Sequence, residues 1–395
     1  MLYELFDKPS AGRPSRSRRR SRRRPRRRRL TGIVAVAIGV VALGVVVWMG
    51  GRWAGRFARR AEQIETVADA PEPAMPAQVW PLGRMGFPTP QTDLLNGDPE
   101  GMFMPTAAGR LESAFYGSTR RGRDGRPSFH EGVDIAPVRR DRSGRALDDV
   151  FAVADGRVAH VSPHPGNSNY GIYVVLFHSD EVGEIYTLYA HLASVADGLR
   201  VGRDVSAGAV LGRMGRTPAR IVPVVRSHLH FEIGLIAHAD FGAWLEARKI
   251  PSVHGIGHGW NLLGIDPMAV WTDQRRQGER FTLRTHLATL PIAFEWVVKS
   301  SRLPDFFRRY PALWEGSSAF AGPALVLAFS EGGVPLSGRP ATESDVSRLN
   351  GAAAAVLTVD PVALGGNGRR LVEESRGQWR LSDRSSRWLD FFLFQ

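Results

Sequence analysis

The longest apolar stretch of the chain is Leu30–Gly51, a run of 22 residues without a charge. As a helix it would be about 33 Å long, enough to cross a hydrocarbon core of about 30 Å. A cleaved signal peptide is the alternative, but its apolar region is usually about 7–15 residues long and ends at small residues. This run is longer and is followed by Arg52 and Arg56. The pattern therefore predicts an uncleaved transmembrane helix over residues 30–51.

Residues 101–271 show short apolar runs separated by Gly, Asp and Asn, which is typical of successive β-strands. No segment with helical length and periodicity interrupts the core of this region. The predicted fold class is mainly β, an antiparallel sheet or barrel-like sandwich. The predicted strands are Val150–Val153, Arg157–Val161, Gly171–Phe177, Glu184–Ala190, Val210–Met214 and Ser227–Ile233.

Residues 275–395 mix both periodicities and predict a small α/β domain, for which no motif indicates a role. The predicted helices are Leu287–Ser300, Pro304–Trp314 and Thr342–Asn350. The predicted strands are Ala324–Phe329, Ala354–Val359, Gln378–Leu381 and Trp388–Phe394.

Positive charge is concentrated at the amino terminus. Residues 13–29 hold 12 Arg and no acidic residue, so the net charge of +13 leaves only 13 − 12 = +1 for the rest. That nearly neutral remainder gives no basic footprint for nucleic acid. Residues 1–29 are predicted to be a disordered arm that either only fixes topology or also contacts anionic lipid. By the positive-inside rule, the arm lies in the cytoplasm and everything after the span lies outside.

Residues 52–100 connect the predicted span to the β region. Their first part predicts a juxtamembrane helix, and the Pro-rich part that follows predicts an extended linker. Such a linker would hold a catalytic domain away from the membrane. The chain has no Cys, which excludes disulfides and thiolate metal ligands.

Three short stretches of the β region carry side chains that can bind a metal. His130 and Asp134 lie four residues apart in FHEGVDI, and His228 and His230 alternate in SHLHFEI. Alternate residues of a strand share a face, so these two imidazoles point the same way. A catalytic zinc takes three protein ligands and keeps one open position, so four candidates leave one side chain for acid/base work. A further histidine, His191, lies in YTLYAHL.

These stretches, in this order, closely resemble the lysostaphin/LytM-type zinc endopeptidases of bacterial cell walls. The family pattern is His-x-Gly-x-Asp, then Tyr-Ala-His-Leu, then His-Leu-His-Phe-Glu. The corresponding residues of this chain are His130–Asp134, Tyr189–Leu192 and His228–Glu232. The resemblance covers roughly residues 101–271, which is under half of the chain.

The resemblance implies a zinc metalloendopeptidase that hydrolyses peptide cross-links of peptidoglycan. It implies that Zn2+ is bound by His130, Asp134 and His230, and that His191 and His228 are catalytic. With the predicted span, it implies a single-pass protein of the bacterial inner membrane whose catalytic domain faces the cell wall. Which bond is cleaved does not follow from these motifs, because different cross-links use the same zinc chemistry.

Two other functions remain open at this point. One is a catalytically silent LytM-like regulator that activates another cell-wall hydrolase, although such relatives have typically lost metal ligands that this chain keeps. The other is a membrane scaffold in which residues 275–395 carry the main role. Residues 218–226 replace a short Gly-rich link of the family. Residues 236–264 are an insertion, either a surface elaboration or a part of the substrate site.

Three more side chains have two interpretations each. Glu232 shares a strand face with His230, so it either orients that imidazole or forms an ordinary salt bridge. His254 and His258 have the i, i+4 spacing of a helical zinc motif. The glycines between them disfavour a helix, and no Glu follows the first histidine, so metal binding there is not predicted.

Overall fold

The computed structural model describes residues 82, 84–97, 99–107, 109–121, 127–217 and 222–395. The Arg-rich arm, the predicted span over residues 30–51 and most of the linker lie outside these residues and stay predictions. Within the described residues, no helix combines the length and the apolar character needed to cross a bilayer. Residues 79–395 belong to one compact unit.

Strands outnumber helices in the described residues. The strands are β1 Thr119–Arg121, β2 Pro127–Phe129, β3 Val133–Ile135, β4 Asp149–Phe151, β5 Gly156–Ser162, β6 Ile172–Asp180, β7 Gly183–Val195, β8 Asp204–Val205, β9 Val210–Met214, β10 Leu229–Ile236, β11 Leu262–Ile265, β12 Phe294–Lys299, β13 Ala324–Phe329, β14 Pro335–Pro340, β15 Ala354–Val359, β16 Val372–Ser375 and β17 Gln378–Leu381. The α-helices are α1 Phe241–Ala247, α2 Pro267–Gln277, α3 Leu283–Leu287, α4 Asp305–Arg309, α5 Glu343–Ser347, α6 Pro361–Leu364 and α7 Asp383–Phe392. Short 3-10 turns cover Leu111–Ala114, Val224–Arg226, Gly255–Gly257, Gly278–Arg280 and Pro311–Leu313.

The largest sheet has nine strands and the order β11-β10-β7-β6-β5-β8, with β3 beside β10 and β9 joining β7 to β4. The pairings of β10 with β3, β7 and β11 are antiparallel, as are those of β6 with β5 and β7. The predicted mainly-β antiparallel fold is therefore confirmed. β9 has the predicted bounds, whereas β7 extends beyond its predicted end by five residues (190 to 195).

β10 lies inside this sheet, and all eight of its residues are buried. One of its edges pairs with β7, and the other pairs first with β3 and then with β11. On one face, Leu229 and Phe231 belong to the main hydrophobic core. The opposite face carries His230 and Glu232, whose strand neighbours on β7 include Ala190. A buried strand with one polar face is the feature that positions the site.

A second sheet, with the order β14-β13-β12-β15, is formed by the carboxy-terminal part of the chain. The helix predicted over Leu287–Ser300 is wrong: α3 ends at Leu287, and β12 occupies Phe294–Lys299. Pro291 separates the two, and the residue before a proline disfavours helical conformation. The aromatic and β-branched residues that follow, Phe294 to Val298, suit a central strand that pairs on both edges.

The strand predicted over Trp388–Phe394 is also wrong, because α7 covers Asp383–Phe392. Ser382 caps this helix by accepting from the Arg384 N–H, and its own N–H donates to Ser385. The buried residues Trp388, Phe391 and Phe392 follow helical i, i+3, i+4 spacing. The cap and the spacing were present in the sequence, but the aromatic content favoured a strand.

The carboxy-terminal part contacts the large sheet through polar and apolar groups. The Tyr310 hydroxyl donates to the Glu184 carbonyl at 2.7 Å and accepts from the Ile236 N–H at 2.8 Å. Trp244 of α1 donates its Nε1–H to Asp390 of α7 at 3.0 Å. The main hydrophobic core also includes residues of both parts. The proposed domain boundary near residue 275 stays a prediction.

Candidate metal centre and active site

Gly132 allows the His130–Asp134 motif to approach the His228–Glu232 motif. Asp134 of β3 pairs with His230 of β10, so the two side chains leave neighbouring strands side by side. Just before β3, a Cβ atom at Gly132 would lie 2.1 Å from the Phe231 carbonyl oxygen, closer than atoms can pack. Glycine at this position therefore lets the backbone bring His130 and Asp134 against β10.

Three donor atoms form a nearly equilateral triangle. His130 Nε2 lies 3.0 Å from His230 Nδ1 and 3.2 Å from Asp134 Oδ1, and the last two atoms are 3.0 Å apart. Zinc bonds of about 2.0–2.1 Å at tetrahedral angles separate neighbouring donors by about 3.3 Å. All three side chains are buried, and two nitrogens with one oxygen suit zinc. The donor set therefore fits a zinc ion.

A backbone carbonyl orients the His130 ring through Nδ1, the nitrogen that is not part of the donor triangle. His130 Nδ1 lies 2.9 Å from the Phe115 carbonyl oxygen, to which it donates when the proton is on Nδ1. This tautomer leaves the Nε2 lone pair for a metal. Arg120 Nη2 is 3.0 Å from the same Nδ1, but a protonated Nδ1 cannot accept from it. The guanidinium instead donates to Asp134 Oδ2 at 2.6 Å.

Arg120 leaves one oxygen of Asp134 for the metal. Because Oδ2 accepts from Arg120, Oδ1 is the oxygen that faces His130 and His230. Burial opposes ionisation of this carboxyl, but Arg120 and His130 hold the pKa of Asp134 well below its usual range. The guanidinium is itself held by the Ser113 carbonyl, to which its Nε donates at 2.8 Å. The carboxylate is thus kept charged and oriented.

The outer nitrogen of His230 is held by a buried carboxylate. His230 Nε2 donates to Glu232 Oε1 at 2.8 Å, so its Nδ1 faces the other two donors. Glu232 has no exposed surface and also accepts from Tyr170 at 2.7 Å and Tyr186 at 2.8 Å. Burial lowers the pKa of His230, but hydrogen bonds to Asp134 and Glu232 raise it to about 9. Of the two interpretations of Glu232, the structure shows the contact that orients His230.

A β-bulge brings His191 to the same place. β6 pairs with β7 through Ile172 opposite Leu192 and Val174 opposite Tyr189, so β7 holds one extra residue there. His191 has φ of 63°, a left-handed conformation that non-glycine residues rarely adopt. Regular alternation would point it away from the face of Ala190. Bulges re-aim side chains in this way, and active sites often contain such strained residues.

His191 lies close to the other histidines of the site. Its ring centroid is 4.7 Å from that of His228 and 5.8 Å from that of His230. Burial, followed by the neighbouring His228 and His230, lowers the pKa of His191 well below its ordinary value. Its Nδ1 is buried without a hydrogen-bond partner among the described residues. A neutral imidazole with a buried, unpartnered nitrogen can take part in proton transfer.

His228 is oriented by the loop that precedes β10. Its Nδ1 donates to the Arg226 carbonyl at 2.7 Å, which leaves Nε2 as the reactive nitrogen. Nε2 lies 3.7 Å from Asp134 Oδ2. Burial lowers the pKa of His228, although Asp134 acts in the opposite direction. The loop that replaces the Gly-rich link thus reaches the site through the Arg226 carbonyl, while residues 218–221 lie outside the described part.

The five residues singled out in the sequence lie together, and the alternative histidine pair lies elsewhere. Within the described residues, the triad His130, Asp134 and His230 is the one cluster of potential metal ligands. His254 instead contacts the Tyr173 hydroxyl through Nδ1 at 2.7 Å. No sequence motif indicated Arg120, because the pairing of β1 with β2 brings it to Asp134.

A pocket opens beside the triad and is lined by parts of the chain that are distant in sequence. His130, His191 and His230 line it together with Tyr170 and Arg120. The insertion contributes Gly259 and Trp260, and the carboxy-terminal part contributes Arg369. The insertion therefore borders the pocket. The pocket would place a ligand next to both the metal ligands and a candidate catalytic histidine.

Comparisons with known proteins agree with the motif content. Residues 128–239 match the model of Peptidase family M23. A zinc-containing peptidase from Vibrio cholerae is 27% identical over 34% of this chain and 36% of that chain, with a TM-score of 0.24. The catalytic domain of the antimicrobial peptidase lysostaphin from Staphylococcus simulans is 26% identical over 30% of this chain and 76% of that chain, with a TM-score of 0.23.

No curated protein matches the chain. The match to the Vibrio cholerae peptidase spans little more than a third of that protein. The family match includes all five candidate site residues: His130, Asp134, His191, His228 and His230. Residues 128–239 are therefore a peptidase M23 domain.

Proposed function

We propose that this protein is a membrane-anchored zinc metalloendopeptidase that hydrolyses peptide cross-links of peptidoglycan. The observation that carries the proposal is the donor triangle of His130, Asp134 and His230 inside an M23 domain, with two further histidines beside it. Bound zinc would supply a Lewis acid for the scissile carbonyl and a water of pKa near 7.

The two remaining histidines would move the protons of the reaction. His228 Nδ1 donates to a carbonyl, so Nε2 faces the triad. Nε2 is therefore the nitrogen that can accept or return a proton. The ring of His191 lies close to both His228 and His230. Their neutral forms can act as a base, and their protonated forms can supply a proton to the leaving amine. These two roles need no carboxylate base.

Arg120 and Glu232 would hold the ligands during turnover. Arg120 fixes one oxygen of Asp134, and Glu232 fixes the outer nitrogen of His230. Partners of this kind set the tautomer and the direction of metal ligands. Both residues are hydrogen-bonded into the same network as the proposed ligands.

The membrane and cell-wall parts of the proposal depend on the sequence. The uncharged run over residues 30–51 and the excess of Arg before it support one span with the M23 domain outside the cytoplasm. Peptidoglycan is the substrate that a LytM-type domain in that location would meet. Contact of the Arg-rich arm with anionic lipid would add to the anchoring.

The deciding experiment uses the full-length protein purified in detergent. Elemental analysis should show about one zinc per chain, and purified sacculi should release peptides with newly exposed amino groups. Mass analysis of defined muropeptides would then identify the bond. A protein that binds zinc but releases nothing, while stimulating a second wall hydrolase, would support the regulator instead. A protein without zinc and without hydrolysis would remove the enzyme proposal.

A further inference from the structure

A second pocket adjoins the one at the metal centre, and Trp260 and Arg369 line both. We call it the arginine pocket, because three guanidinium groups line it and none of the described residues that line it carries a carboxylate. The three arginines come from the carboxy-terminal part of the chain, and they are Arg369, Arg384 and Arg387. Aromatic side chains form much of the remaining wall.

Arg369 connects the arginine pocket to the metal centre. Its guanidinium lies 5.0 Å from the centre of the Phe129 ring and its Nε donates to the Gly332 carbonyl at 3.0 Å. Its Nη1 lies 3.1 Å from Glu131 Oε1, the residue directly after the ligand His130. The cation is therefore held at the boundary between the two pockets by an aromatic ring, a carbonyl and a carboxylate.

The other two arginines are held by the same small region. Arg387 lies with its guanidinium 4.9 Å from the centre of the Trp260 ring, on the exposed side of α7. Arg384 donates through Nη1 to the Arg369 carbonyl at 3.3 Å, which connects α7 to the loop that carries Arg369. Stacked arginines keep the planar fork that matches a carboxylate. Two of the three guanidinium groups thus come from α7, and the third comes from a loop that is hydrogen-bonded to this helix.

We propose that the arginine pocket binds a carboxylate of the peptide substrate and so gives residues 275–395 a role in substrate recognition. This inference rests on the proposed function, because the pocket shares its wall with the pocket at the metal ligands. A substrate that reaches the metal centre can place a neighbouring group in the arginine pocket. Peptidoglycan stem peptides carry free carboxylates, and guanidinium binds such groups with charge-assisted, often bidentate, hydrogen bonds.

A phosphate group could supply the same anionic chemistry. We assign the pocket to a carboxylate of the cross-linked peptide because it adjoins the ligand His130 and the candidate catalytic His191 through shared lining residues. In this assignment, the carboxylate bound in the arginine pocket belongs to the peptide that is cleaved at the metal centre. Inorganic phosphate serves as the competing probe in the test.

The test compares two synthetic cross-linked peptides that differ only in one free carboxylate, which is a carboxamide in the second peptide. With the full-length zinc enzyme, we expect kcat/KM to be about tenfold higher for the carboxylate form. Arg387→Gln should lower this ratio towards one, mainly by raising KM for the carboxylate peptide. Arg369→Lys keeps the charge but removes the fork, and it should lower the ratio partly.

The matched control is Arg348→Gln. Arg348 is an exposed arginine of the same part of the chain that lines neither pocket. This variant should keep both rates and their ratio. Because Arg387 is exposed, its substitution removes charge without opening the core, so a change in the ratio is not a folding effect.

Binding is measured separately, by calorimetry with an uncross-linked stem peptide in its carboxylate and carboxamide forms. Tighter binding of the carboxylate form that Arg387→Gln abolishes supports the pocket even if no peptide is hydrolysed, in which case only the proposed catalysis fails. Equal binding and equal rates for both forms would overturn the pocket while leaving the peptidase intact. Phosphate that competes in the wild type but not in Arg387→Gln, without any carboxylate preference, would overturn the assignment to the peptide.

Discussion

The two faces of β10 are equally buried but are used differently. On one face, Phe231 has no exposed surface, stacks on Trp271 with ring centroids 5.2 Å apart and meets Tyr189 edge-on. On the other, His230 and Glu232 are also buried, but hydrogen bonds connect His230 to Asp134 and to Glu232. The comparison shows that burial alone does not separate a residue that stabilises the fold from one that serves a site. The chemistry of its neighbours does.

The largest effect is expected on the polar face. His230→Ala removes one of three ligands, so zinc content should fall to near zero and hydrolysis should fall to background. Elemental analysis and peptide release measure both. Zinc retained at the wild-type level by this variant would contradict the assigned ligand set.

The next largest effect separates a catalytic group from a ligand on the same face. His228→Ala should lower kcat by about 10²–10⁴-fold, the usual contribution of a positioned acid or base, and leave most of the zinc in place. His191→Ala is the matched variant and should behave alike. If His228→Ala loses as much zinc as His230→Ala, the division between ligand and catalyst is wrong.

The apolar face should respond through stability. Phe231→Ala is expected to lower the free energy of unfolding by about 3–5 kcal/mol, the usual cost of removing a buried aromatic side chain. Denaturant unfolding measures the change, with zinc content determined on the folded fraction. The folded fraction should bind zinc normally. Zinc loss without destabilisation would mean that the two faces are not separable.

The sequence predicted the cluster of candidate ligands better than the surroundings that hold them. Local spacing was enough to predict that His130 and Asp134 lie together, because the motif and its strand are contiguous. The bulge at His191 depends on how β6 and β7 pair, and pairing register is a tertiary property. Arg120 reaches Asp134 only because β1 pairs with β2. Arg369 comes from a part of the chain for which no motif indicated a role.

The same limit explains the errors in the carboxy-terminal part. The apolar run of β12 is compatible with either a strand or a helix. Its pairing with β13 and β15, one on each edge, makes it a strand, and that pairing is not visible in the sequence. In α7, the aromatic residues favoured a strand by composition, whereas their spacing and the Ser382 cap favour a helix. The described strands of the M23 domain were easier to predict because Gly and Asp turns separate them.

A smaller effect is expected at Glu232, which accepts a hydrogen bond from the proposed ligand His230. Glu232→Gln keeps the shape of the side chain but removes the charge that three donors share, so zinc affinity should fall by about 10–100-fold. Competition with a chelator of known affinity measures the change. Unfolding in the absence of metal should be compared in parallel, because a large loss of stability would instead identify Glu232 as a structural residue.

The smallest effect concerns His178, a buried polar residue of the large sheet that is not part of the metal centre. Its Nδ1 donates to the Asp155 carbonyl at 2.7 Å, and its Nε2 lies 2.8 Å from the Thr187 hydroxyl. Burial, only partly opposed by Asp155, lowers the pKa of His178 to about 4. In the unfolded chain the pKa is about 6.5, so between these values the unfolded state binds more protons and stability falls as the pH is lowered.

Lowering the pH from 6.5 to 5.5 should therefore cost about 1 kcal/mol through His178. The free energy of unfolding of metal-free wild type and His178→Gln, measured in denaturant across this range, isolates that contribution. The variant is expected to be less stable at neutral pH, and its deficit should shrink as the pH falls, because only in the wild type does the unfolded state take up a proton at this residue. Parallel curves would show that His178 keeps an ordinary pKa, and burial on this sheet would then not be sufficient to hold a histidine neutral.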